Sequence, residues 1–254
     1  MNISSRLTNL PFRSLSPLGM ASSDVLSPAE RQQANPIWVD LTPLNRAAFG
    51  TIQERYGLPP EAMTYFLLHY QSAKLNHAGP ALFLVTFLAV PSSRYLFTTR
   101  ELKMCVSSAV IATMCGSAGR TQSELVQTLS LPSLSRGRIG QLLCGLLEGT
   151  VGSYEAIVRT VAERRRDNVP GEERQRWHKR IEKLVRFLRE EQSFLGSVAR
   201  EGGKLLAPEE SRQIKSIEER VGVLARALWE ANLQRKDLSA RSETTVTTQE
   251  GGDA

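Results

Sequence analysis

The sequence has no apolar run long enough to cross a bilayer. Its longest, Ala81 to Val90, is about half of the roughly 20 residues a spanning helix needs, and Pro80 and Pro91 bracket it. It reads instead as a buried strand. Cysteine is scarce: Cys105, Cys115 and Cys144 are odd in number and lack C-x-x-C spacing, which implies a reducing compartment and no designed metal site. The histidines are His69, His77 and His178, with no metal-ligand spacing, so a zinc enzyme is not expected. The five aspartates are scattered, no G-x-S-x-G elbow is present, and no histidine or cysteine sits at a spacing suited to a nucleophile and its base. Gly116 and Gly119 are followed by Arg120 and Thr121, without the lysine of a Walker loop or any G-x-G-x-x-G. The sequence therefore reads as a non-enzyme with no nucleotide site.

What the chain has in quantity is helical periodicity. At 254 residues and 41% hydrophobic content it can bury a sizeable core, and a two-part layout is expected. From Gly137 to about Asp237, apolar residues recur at alternating steps of three and four. They are Trp177, Ile181, Leu184 and Leu188, then Leu195 and Val198, and finally Ile214, Ile217, Val221, Leu224 and Leu228. Such a seam keeps one narrow face of each helix against a neighbour for several turns. The spacing predicts a first long helix over 136–168, a second ending at Gly202-Gly203, and a third opening at Pro208 with Glu209 and Glu210 in its first turn. Gly145, Gly149 and Gly152 weaken the first by up to about 1 kcal/mol each unless they admit a neighbour.

The part before this stalk reads as an α/β body. Ile37 to Leu41 alternates as a strand closed by Thr42 and Pro43. Asn45 is placed to cap a helix that Gly57 ends, and Pro59 and Pro60 set up a second helix carrying Met63, Phe66, Leu67 and Tyr70 on its apolar side. Ser72 to Asn76 is expected at an edge, Ala81 to Val90 at the centre of the sheet, with Glu101 to Val106 and Ala109 to Met114 completing it. A loop over 115–119 and a short helix over 121–129 lead to the stalk.

The expected division is a disordered leader over 1–35, an α/β domain over 36–135, a long-helix stalk over 136–238 and a disordered polar tail over 239–254. The leader has Arg6 and Arg13 but no continuous apolar stretch, so it is not a Sec signal peptide; a cytoplasmic location is expected, with a signal for a specialised secretion system as the alternative.

The net charge is +6, and most of the arginines lie in the helical half. Arg164, Arg165 and Arg166 precede the turn at Val169-Pro170-Gly171, and Arg174 and Arg176 follow it. Antiparallel packing would gather these five at one hairpin tip, which could hold nucleic acid or another anionic partner. Only Trp177 lies near enough to stack, and it also fits the seam. Ion pairing along a solvated surface is the competing reading, supported by Glu172 with Arg176 and Glu182 with Arg186 at the favourable spacing of four.

The order of elements resembles the cytoplasmic portion of the CorA family of magnesium channels and the related ZntB-type zinc transporters. The residues that carry the resemblance are Trp38-Val39-Asp40-Leu41, Tyr56-Gly57-Leu58-Pro59-Pro60, the strand Ala81 to Val90, Leu142 to Tyr154 at the start of the first long helix, and Trp177 to Gln192 in the second. It covers roughly 36–236 and rests on the whole order rather than on one motif. The resemblance implies an α/β body with a mixed sheet followed by a three-helix stalk. It also implies self-association, as a pentamer in the family, or contact with a full-length transporter. In the family the third helix continues into the membrane as a pore helix; here the chain turns polar. The resemblance further implies a regulatory divalent ion such as Mg²⁺ between subunits, with Glu218 or Glu219 at the place of one carboxylate. Thr64 and Tyr65 stand where its acidic partners would fall, and one carboxylate rarely holds Mg²⁺. No cofactor is otherwise expected.

Overall fold

The computed structural model describes residues 37–41, 46–92, 97–115, 138–163, 171–203 and 205–249, with side chains described except at 37, 48, 163, 171–174 and 234–249. The leader over 1–35, Asn45, the loop after Cys115, the helix expected over 121–129 and the turn at Val169-Pro170 lie outside the described residues.

Strand β1 (Ile37–Asp40) leads to helix α1 (Arg46–Tyr56). Gly57, at φ 66°, ends that helix: its left-handed backbone lets the Leu58 N–H reach back to the Gln53 carbonyl at 3.1 Å. Helix α2 (Ala62–Leu67) is shorter than the sequence suggests, and Tyr70 lies beyond it, its ring tilted over Phe83 with centroids 6.2 Å apart. Four strands follow: β2 (Lys74–Ala78), β3 (Ala81–Pro91), β4 (Phe97–Val106) and β5 (Val110–Cys115). β2 begins two residues later than expected and β4 four residues earlier. Gly79, at φ 59°, makes the tight turn that pairs Ala78 with Ala81.

The five strands form one sheet in the order β1-β5-β4-β3-β2. β1 pairs with β5 in parallel and the other pairs are antiparallel, so the sheet is mixed. Both faces are covered, which explains the nearly unbroken apolar run of β3. On one face Val39, Phe83, Val85, Phe87, Cys105 and Val110 pack against Phe49, Ile52 and Tyr56 of α1 and Phe66 of α2. On the other, Trp38, Leu82, Leu84, Leu88, Leu102, Met104 and Ile111 pack against the stalk. The alternation follows the two-residue period of a strand.

Among the described residues the stalk has three helices: α3 (Ile139–Glu163), α4 (Gly171–Glu201) and α5 (Pro208–Gln249). α5 opens with Glu210 Oε2 accepting the Ala207 N–H at 2.6 Å, half of a capping box. The helix runs on to Gln249, so 239–249 is helical where the polar composition suggested a disordered tail.

Candidate functional site

The residues of the expected seam share one core. Ile181, Leu184, Leu188, Leu195 and Val198 of α4 are buried, as are Ile214, Ile217, Val221 and Leu228 of α5; Trp177 and Leu224 are half-buried against the same core. Small residues let α4 and α5 close up. A Cβ on Gly196 would stand 3.1 Å from Glu218 Oε1, and one on Gly222 would stand 2.7 Å from Gln192 Nε2. On α3, Gly145 and Gly149 are buried and Gly152 faces outward with open space around it. Arg220 of α5 ties the third helix to the first, 2.6 Å from Glu148 Oε1 and 2.9 Å from Glu155 Oε1.

The candidate metal residues are not brought together within one chain. Thr64 is exposed on α2, and Tyr65 stacks on Phe83 with centroids 4.5 Å apart, on the face of the sheet opposite α5. Glu218 lies over Gly196, and Glu219 is exposed. Among the described residues no three His, Cys, Asp or Glu side chains form a group that could hold a metal ion. Of the arginines, Arg176 is exposed on α4; Arg164, Arg165 and Arg166 lie outside the described residues, as does the side chain of Arg174. The thiols of Cys105 and Cys144 are buried, and desolvation pushes both up to about 12, away from nucleophilic use.

A buried polar junction stands out where the stalk meets the sheet. Glu191 of α4 is 1% exposed. Thr86, in the middle of β3, donates its hydroxyl hydrogen to Glu191 Oε1 at 2.6 Å. Tyr154 of α3 sits beside the same carboxyl and donates its own O–H to the Phe87 carbonyl. Glu191 Oε2 has no hydrogen-bond partner among the described residues. Phe187 closes the site with its ring centroid 5.3 Å from that of Phe87 and 5.8 Å from that of Tyr154. Burial pushes the Glu191 carboxyl from about 4.5 up to about 8, against the opposing pull of the hydrogen bond that Thr86 donates to it. Tyr154 is pushed well above its ordinary value by the same burial, and the neighbouring carboxyl adds to it.

This junction was missed in the sequence, although a signal existed. The steps of three and four along α4 run 184, 188, 191, 195, so Glu191 occupies a seam position that an apolar residue would ordinarily fill. Thr86 is likewise a lone polar residue in the run Ala81 to Val90.

With the sheet and stalk in view, the chain can be set beside solved structures. It superposes on the cytoplasmic domain of ZntB from Vibrio parahaemolyticus with a TM-score of 0.63 and 12% identity, covering 82% of this chain and 88% of that one. The complete CorA magnesium transporter from Methanocaldococcus jannaschii gives a TM-score of 0.66 and 13% identity over 89% of this chain and 75% of that one. The chain has the CorA cytoplasmic fold. The separately solved soluble domain of that CorA agrees, with a TM-score of 0.60, 13% identity, and coverage of 86% and 92%. No protein-family model matches the chain, and no curated protein matches it by sequence. At this identity the CorA-like likeness lives in element order and packing, as the alternation of sheet faces and the stalk seam show. No described helix is long and apolar enough to cross a membrane.

Proposed function

We propose that this chain is a CorA-like protein of divalent metal-ion transport, of the Mg²⁺ or Zn²⁺ type, that does not conduct by itself. It acts through self-association along its stalk, as a homo-oligomer, or by joining a full-length transporter. The observation that supports this is that the chain, with its mixed five-stranded sheet and long helices, superposes on the ZntB and CorA structures over more than four fifths of its length. The absence of a membrane-crossing helix among the described residues supports the non-conducting part. Any ion bound between copies would draw on Glu218 or Glu219 with oxygen ligands from a second chain, since one carboxylate is too few.

Size-exclusion chromatography with light scattering, run with and without Mg²⁺ and Zn²⁺, tests the reading. An assembly larger than a monomer, or one whose size responds to either ion, is expected. A monomer at every concentration that is indifferent to both ions and does not join a full-length CorA-type partner would remove it.

A further inference from the structure

We propose that the meeting point of β3, α3 and α4 is a proton-operated joint: Glu191 holds the stalk against the sheet as a neutral acid, and its ionisation loosens that contact.

The geometry supplies no compensating charge. The groups facing Glu191 are the Thr86 hydroxyl from β3 and the Tyr154 phenol from α3, and among the described residues no cationic side chain pairs with it. Thr86 satisfies Oε1, while Oε2 is buried without a partner. A carboxylate in that place would keep a full charge out of water with few donors to hold it. A carboxylic acid instead carries a proton it can donate. The Tyr154 proton is already committed to the Phe87 carbonyl, so the phenolic oxygen keeps lone pairs able to accept the proton of the acid.

Position gives this protonation a structural consequence. Glu191 lies on α4 between Leu188 and Leu195, which pack in the core the stalk shares with the sheet, and its partners lie on β3 and α3. One proton therefore bears on three elements at once. A glutamine would provide the same shape and hydrogen bonds without titrating, so an acid at this position is the part a purely structural role does not require.

The test is infrared difference spectroscopy on the full chain, following the carbonyl stretch of a protonated carboxylic acid from about pH 6 to about pH 10. Hydrogen exchange of the β3 and α4 amides is measured on the same samples and corrected for intrinsic base catalysis. The acid band should be present near neutral pH, disappear at alkaline pH and be missing from Glu191→Gln. Over the same range, exchange across the junction should rise about tenfold or more in the natural chain and stay level in Glu191→Gln. Thr86→Val serves if the glutamine variant does not fold: it removes a donor that favours the charged form, so the band should persist to higher pH. No acid band at neutral pH, a titration that leaves exchange unchanged, or an unmoved midpoint in Thr86→Val would overturn the proposal.

Discussion

Lys103 of β4 places its ammonium 2.9 Å from the Phe66 carbonyl at the end of α2, although the side chain is only 2% exposed. It also donates to the Leu68 carbonyl and lies 3.1 Å from Glu101 Oε2, which a buried cation requires. Glu101 in turn accepts the Tyr70 N–H at 2.6 Å. Lys103→Met should cost about 3 kcal/mol in urea unfolding, because it strands two carbonyls and a half-buried carboxylate. An unchanged midpoint would show that this network is dispensable.

Leu188→Asp should abolish cooperative melting of the helical half or lower stability by at least about 4 kcal/mol, since it sets an unpaired charge at a fully buried seam position. Leu224→Asp should act in the same direction but less, because Leu224 is only half-buried. Circular dichroism melts check both, and equal effects would contradict the burial difference.

Gly222→Leu should destabilise by about 1–3 kcal/mol, because Gln192 already fills the space a side chain would enter. Gly152→Ala, on an outward face with open space, should stabilise α3 by up to about 1 kcal/mol. Opposite signs in denaturant titrations are the expected result; matching signs would mean the helix faces are misassigned.

Arg176→Ala should stay within about 0.5 kcal/mol of the natural chain, as an exposed charge contributes little. Added salt should change its melting temperature no differently from that of the natural chain. A large loss would make this arginine structural.

Glu191 also predicts how stability depends on pH. Its folded value, about 8, exceeds its unfolded value, about 4.5, so the folded chain binds more protons between them. Its contribution is fully present below about pH 4.5, falls as pH rises towards about 8, and changes no further above that. The difference in unfolding free energy between the natural chain and Glu191→Gln should follow this window. A difference independent of pH would mean the carboxyl is not protonated in the folded chain.

Much of the architecture was legible in the sequence because it rests on periodicity. The two-residue alternation of strands and the three-four steps from Ile181 to Leu228 are set by which side chains must leave water. The edges were harder. β4 begins at Phe97 because its first residues pair with Val90 and Pro91, a contact that no local pattern reveals. The helix continues past Leu238 through polar residues because nothing there breaks it, such as a proline or glycine, until Gly251. The Glu191 junction was hidden for a different reason. A charged residue among apolar ones reads as an interruption, and only the arrangement of β3 and α3 around it shows that the acid is enclosed.

The two glycine notches, Gly196 under Glu218 and Gly222 under Gln192, have a mechanical corollary. Each helix seats a side chain in a recess of the other, so axial slip would drive the seated groups into backbone. α4 and α5 are thereby keyed together as a single lever, which can move against the sheet only as one body and not by one helix sliding along the other.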